Sequence, residues 1–168
     1  MRQPVTTIDI RRDLVGLLPR LRRFAMTLAG NAAVADELVQ AVCERAVAKS
    51  NQWNGEGRLE SWIYTLARQQ WNDDSRRRRP HATPKANVTD IRDASRDRTA
   101  GFDADTIHRM IAEMPEGTCS VLLLVVVEGH TYQQTADIMG IAMSNVVSHL
   151  TAARLHFASV ADNYPHRY

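Results

Sequence analysis

Apolar residues recur at intervals of three and four through most of the chain, the period of helices that bury one stripe. Ile10, Leu14, Leu17, Leu21, Phe24 and Leu28 form the first stripe and predict a helix over about 10–28, with Pro19 inside it as a kink or break. Gly30 and Asn31 end that helix, and Asn31 can cap a second over about 32–49. There Leu38, Val42 and Ala46 face inward, and Asp36, Glu37, Gln40 and Glu44 form an acidic, polar outer face. A loop over 50–57 leads to a third helix, in which Leu59, Trp62, Ile63, Leu66, Ala67 and Trp71 make the apolar stripe. Ser61, Tyr64, Thr65, Arg68, Gln69 and Asn72 then fall on a polar, partly aromatic face without a carboxylate. The third helix runs into Arg76, Arg77, Arg78 and Arg79, and Pro80 blocks its continuation.

Periodicity lapses over 80–102, which is mixed in Pro, Gly, Ser, Thr and Asp and reads as a linker. Four shorter helices are predicted beyond it. Ile107, Met110, Ile111 and Met114 mark one, and Pro115 can open the next, which carries the apolar run Val121–Val127 and stops at Gly129. That run has strand propensity, but no partner strand exists and its neighbours are helical, so helix is the better assignment. Thr131 caps a helix over 132–139, Gly140 and Ile141 turn the chain, and Ser144 opens a longer helix to about Val160. Ala136, Gly140, Val146 and Leu150 have the spacing of a helix-turn-helix: a small residue for close approach, a glycine for the turn, and two apolar anchors. The fold class is therefore all-α: two small helical domains, 8–79 and 103–161, joined by a flexible linker over 80–102.

Charge divides the same way. The full chain carries 21 Lys/Arg against 19 Asp/Glu. Residues 1–79 hold 14 of those cations against 9 carboxylates, while residues 103–168 hold 3 against 7. The first part has the electrostatics of a polyanion binder and the last does not. Donors and aromatics beside an arginine cluster suit phosphate contact with stacking on unpaired bases. The two cysteines, Cys43 and Cys119, are far apart and suggest neither zinc nor a disulfide framework, which fits a reducing, cytoplasmic setting. No signal-peptide run opens the chain, and Val121–Val127 is too short for a membrane span. The six histidines lack ligand spacing, no phosphate loop or nucleophile motif is present, and the adjacent Asp73 and Asp74 diverge on a helix. An enzyme, a metal site and a cofactor are not expected; Asp73 and Asp74 suit solvation or helix pairing.

The order of these segments resembles the extracytoplasmic-function (ECF) sigma factors, the two-domain group of the sigma-70 family. LLPRLRRFAMTLAGNAAVADELVQ resembles the first two helices of the family's promoter-melting domain, and WNGEGRLESWIYTLARQQWNDDSRRRR its third, with the Trp-x-Tyr-x-x-Ala-Arg core at Trp62, Tyr64, Ala67 and Arg68. VLLLVVVEGHTYQQTADIMGIAMSNVVSHL resembles the C-terminal helix-turn-helix domain. The resemblance implies a factor that binds core RNA polymerase, through the β′ clamp helices and the β flap, and directs promoter recognition. Asp36, Glu37, Leu38, Val39 and Gln40 match the polymerase surface. Trp53, Arg58, Tyr64, Arg68, Gln69, Asn72 and Arg76 to Arg79 (Arg76, Arg77, Arg78, Arg79) match the element that captures the −10 strand. Thr131, Tyr132, Ser144, Asn145, Ser148, His149 and Arg154 match the −35 reader. An anti-sigma factor is an expected partner.

Departures from the family pattern concentrate at the C-terminal end. Val147, His149 and Ala152 stand where the family carries cations, leaving Arg154, and Val147, Thr151 and Leu155 add an apolar stripe near the DNA-facing side. Ser144-Asn145 replaces Gly-Thr, and Glu116, Gly117, Thr118 and Cys119 replace the common Glu-Gln-Arg segment. Ala41 replaces the acidic residue after Val-Gln. Duplex affinity follows phosphate neutralisation, so −35 DNA should be held weakly. A second reading follows: a sigma-like module that sequesters an anti-sigma factor without strong −35 binding.

Overall fold

The computed structural model describes residues 9–78, 104–115 and 117–163. Seven α-helices occupy these residues: α1 Ile10–Ala29, α2 Ala32–Ala48, α3 Leu59–Arg78, α4 Ala104–Ala112, α5 Thr118–Leu122, α6 Tyr132–Met139 and α7 Met143–Asn163. No described helix is long and apolar enough to cross a membrane. The linker expected over 80–102 lies outside the described residues.

Local chemistry accounts for most helix ends. Asn31 adopts extended backbone and its side chain accepts from the Val34 N–H, starting α2. Thr131 and Gln134 form a reciprocal capping box at the start of α6, and Gly140, at φ 66°, closes it in the left-handed conformation that favours glycine. Of the kink or break expected at Pro19, the structure shows no break: α1 continues through it to Ala29 as the helix packs on α2 and α3. One expectation is corrected. Pro115 does not open the following helix: α5 starts at Thr118, after Gly117 turns the chain with φ 80°.

The apolar run is helical, but not as a regular α-helix. Leu123–Val127 widens into a π-turn, with Glu128 N–H bonded to the Leu123 carbonyl and His130 N–H to the Leu124 carbonyl. The result redirects the residues that follow it. Glu128 and His130 are both buried, against other helices rather than in solvent.

Leu21, Phe24, Ala25, Ala35, Leu38, Val42, Ala46, Ile63 and Ala67 make the N-terminal core, and Val121, Leu124, Ala136, Ile138, Met139 and Val146 the C-terminal one. The two are continuous, because α3 packs on α1 and α2 on one side and on α6 on the other. This arrangement corrects the expected faces of α3. Tyr64, assigned by periodicity to the outer face, is only 1% exposed, whereas Trp62 is half-buried and stacks on Trp53 at 5.6 Å between ring centroids. The Tyr64 ring lies 5.0 Å from Phe24 and 5.8 Å from His130, so it bridges the cores of both domains. A helix with partners on two sides buries more than one stripe, which period alone does not reveal.

Truncating Tyr64 should therefore be the more damaging change on α3. Tyr64→Ala is expected to cost about 3–5 kcal/mol by cavity formation, and Trp62→Ala markedly less. Urea denaturation followed by circular dichroism compares them; a larger loss for Trp62→Ala would mean that Trp62 carries more of the packing than Tyr64.

Candidate nucleic-acid and protein interfaces

The outer face of α2 is built as its sequence requires. Asp36, Glu37 and Gln40 are exposed and Val39 is half-buried. Asp36 accepts from the Arg22 Nε at 2.8 Å, and Gln40 donates to Glu44 at 3.2 Å, one turn on. Leu38 does not join this face: at 3% exposure it belongs to the core, where its place in the inward stripe put it. The surface available to a protein partner is thus acidic and polar around one partly exposed valine.

The residues expected to capture single-stranded DNA separate into two groups. Gln69, Asn72, Arg76 and Arg77 are exposed on the C-terminal half of α3. The Arg78 side chain and all of Arg79 lie outside the described residues. Asp73 pairs with Arg45 of α2 at 3.3 Å, a helix-pairing contact, whereas Asp74 accepts from Gln70 of its own helix at 3.1 Å. The N-terminal half of α3 is instead engaged by the C-terminal domain. Arg58 donates through Nη2 to the Glu128 carbonyl at 3.1 Å, Tyr64 is buried, and Arg68 is half-buried. Trp53 is half-buried on Trp62 in the loop before the helix.

A charged cluster holds the two domains together there, and sequence pattern did not identify it. Arg20 of α1 donates through Nε to the Glu128 carboxylate at 2.8 Å and again through Nη2 to the same oxygen. Its Nη1 reaches Glu60 of α3 at 2.9 Å, and Arg23 lies 3.5 Å from the other Glu128 oxygen. The Glu128 side chain is only 2% exposed. The two carboxylates hold the Arg20 guanidinium above its ordinary pKa, the Glu128 bonds foremost. Burial opposes ionisation of Glu60, yet its own backbone N–H, with Arg20 and Arg58, holds the carboxyl below the usual range. Tyr64 is pushed well above the ordinary phenol, by burial first and then by the negative charge of Glu128.

Neutral hydrogen bonds flank the cluster. Thr27 of α1 bonds to Ser120 of α5 at 2.8 Å. The His130 ring sits between the Leu124 carbonyl, 3.3 Å from Nδ1, and the Ser61 hydroxyl, 2.9 Å from Nε2. With Nδ1 donating to the carbonyl, Nε2 accepts from Ser61, a pairing that suits the neutral ring. The one advance sign in the sequence was Glu128 itself, a lone carboxylate directly after seven apolar residues.

The helix-turn-helix presents a different chemistry. Thr131, Tyr132, Ser144, Asn145, Ser148 and Arg154 are exposed, although the Thr131 hydroxyl is committed to the α6 cap. Ser148 donates back to the Ser144 carbonyl and Thr151 to the Val147 carbonyl, each at 3.0 Å. His149, expected as a −35 contact, is half-buried and packs within the domain. Its Nδ1 is hydrogen-bonded to the buried Thr118 hydroxyl at 2.9 Å, and its ring closes against Gly117, tying α7 to the start of α5. Met143, Val147 and Leu155 are 50%, 47% and 66% exposed, so the apolar stripe does lie on the open side of α7.

Comparison with known proteins matches both halves. Residues 14–68 match the family described as the Sigma2 domain of PhyR, and residues 104–157 match Sigma-70, region 4. The ECF RNA polymerase sigma factor EcfG of Rhodopseudomonas palustris (strain TIE-1) is 29% identical over 149 residues, covering 88% of this chain and 82% of that protein. The fold is shared with the sigma factor RpoE of Bartonella quintana, solved in complex with the anti-sigma factor NepR: TM-score 0.74, 22% identity, 92% of this chain and 97% of that one. It is also shared with PhyRSL of Sphingomonas sp. Fr1, solved with NepR: TM-score 0.65, 20% identity, covering 90% and 88%.

His130 makes the contact between the domains pH-dependent. Burial, and then the positive charge of Arg58, lowers its pKa below the ordinary 6.5, against the opposing pull of the Leu124 carbonyl, Glu128 and Glu60. A depressed native pKa means that the unfolded chain binds the proton first as pH falls, so the stability present above pH 6.5 declines on acidification through and below that value. Thermal melting between pH 7.5 and roughly 5.5 should show this loss, and His130→Gln should flatten it. An unaltered pH profile in that variant would assign the loss to other groups.

Proposed function

Because the chain belongs to the ECF sigma factors of the sigma-70 family, we propose that it binds core RNA polymerase and directs promoter recognition, with −10 melting by α3 and −35 binding by the helix-turn-helix. The observation that carries this reading is the order of parts: a sigma2-like domain over 14–68 followed by a region 4-like domain over 104–157, within one alignment to a sigma factor spanning 88% of the chain. The exposed face of α2, with Asp36, Glu37, Val39 and Gln40, is the surface assigned to the polymerase clamp. The basic end of α3, with Gln69, Asn72, Arg76 and Arg77, is assigned to the −10 strand, joined by Trp53, Arg58, Tyr64 and Arg68 once the C-terminal domain moves away. Tyr132, Ser144, Asn145, Ser148 and Arg154 remain as contacts for −35 DNA, weakly anchored to phosphate. The functional units are 8–79 and 103–161, the setting is the cytoplasm, and no catalytic residue or cofactor is assigned.

A sigma-like module that sequesters an anti-sigma factor is the second reading. The N-terminal match to PhyR's sigma2 domain and the exposed Met143, Val147 and Leu155 on an acidic domain favour it. Relatives of both kinds are solved with NepR, so an anti-sigma factor of that class is a proposed partner under either reading.

Incubation with core polymerase, followed by gel filtration and run-off transcription on selected promoter fragments, tests the first reading. Co-elution and promoter-dependent transcripts are expected; binding to NepR-type protein without either would favour the second. Replacing Arg76, Arg77, Arg78 and Arg79 with Ala should weaken promoter DNA binding and reduce its salt dependence, by roughly one unit of log–log slope for each phosphate left without its arginine. An unchanged slope would remove the arginine run from the interface.

A further inference from the structure

We propose that Val147, with Thr151 beside it, is the specificity-determining pair of α7 and reads the C5 methyl groups of thymines in the major groove of −35 DNA. The proposal deepens the sigma-factor reading and rests on it for which face of α7 meets the duplex. In a helix-turn-helix the N-terminal turns of the second helix approach the base edges. Residues 143–150, which form those turns, include no Lys, Arg, Asp or Glu, and residues 138–161 hold no carboxylate and one cation, Arg154. Arginine or lysine on guanine, the commonest specific base contact, is therefore missing where the base edges would lie. Nothing acidic there repels the duplex either.

What the face offers instead is apolar. Met143, Val147 and Thr151 follow one another at four-residue spacing along one ridge of α7, all of them exposed. The Thr151 hydroxyl donates to the Val147 carbonyl, and the Ser148 hydroxyl to the Ser144 carbonyl. Both protons are spent within the helix, so Thr151 is left to present its methyl beside Val147. Asn145, exposed on the other flank past Ser144, carries an amide suited to adenine. In the major groove thymine alone among the four bases carries a methyl group, against which an aliphatic side chain packs. Such a contact releases no counterion, so it supplies selectivity without the phosphate affinity that this helix lacks. Val147, Thr151 and Asn145 are open in the free chain, which can therefore be tested at full length.

Selection by the full chain from a duplex pool with a randomised −35 segment, at low ionic strength, should enrich sites that contain thymine. Fluorescence anisotropy on the enriched duplex, with each thymine in turn replaced by deoxyuridine, then removes one methyl and nothing else. At one thymine or more the unaltered chain should bind the deoxyuridine form roughly fourfold more weakly, the affinity equivalent of one buried methyl lost. Val147→Ala should bind the thymine duplex more weakly by a similar factor and no longer distinguish it from the deoxyuridine form. Thr151→Ser, which keeps the hydroxyl bond and deletes only a methyl, should shrink the same ratio. The ratio should also persist at doubled salt even as overall affinity falls, because no phosphate contact sets it. If Val147→Ala fails to fold, Thr151→Ser decides alone. Affinity that ignores every thymine methyl, or a ratio that Val147→Ala leaves intact, overturns the proposal. A pool in which no sequence is enriched also overturns it, and would assign the apolar ridge to a protein partner. Absence of core-polymerase binding and of promoter-dependent transcripts would refute the sigma reading separately, leaving the deoxyuridine ratio to judge Val147.

Discussion

A single buried carboxylate sets the relation between the two domains. Glu128 reaches α1 with its side chain and α3 with its carbonyl, and the Arg20 guanidinium it holds is shared with Glu60. Removing one member of such a buried pair costs about 3–5 kcal/mol, because the partner charge is stranded, although the intact pair contributes far less net stability than that. The pair is better understood as a device for register. Apolar contact between α3 and α6 could be satisfied at several rotations, whereas a carboxylate between two arginines has one.

The geometry depends on irregular backbone. A regular α-helix through 123–128 would turn the last residue by a different angle, and the π-turn with Gly129 at φ 68° places Glu128 and His130 on two different helices of the other domain. Val126 and Val127 on this turn are exposed, 66% and 60% respectively. The half-buried Cys119 beside this segment has its thiol pushed up to about 11 by burial, which makes it a packing residue and not a reactive one.

Electrostatic division of labour follows from the same arrangement. The arginines nearest the domain contact are neutralised internally, so the unspent positive charge of α3 lies at its C-terminal end. Helix α7 exposes an apolar stripe beside Arg154, a surface better suited to burial against protein than to phosphate.

Most helix positions, the Asn31 and Thr131 caps and the helix-turn-helix were legible in the sequence, because each depends on contacts within a turn or two of the chain. Leu38 and Val42 fell inside for the same reason. What sequence could not decide was which faces meet. Tyr64 and Trp62 exchanged their expected environments because α3 has a second partner, α6, far along the chain, and period reports only that a stripe exists. His149 was drawn inward by Thr118, and Arg20 and Arg58 were claimed by Glu128, through hydrogen bonds that join residues far apart in sequence. A residue's chemistry is written in its side chain, but whether it is spent on DNA or on its own fold is set by what tertiary packing brings within about three ångströms of it.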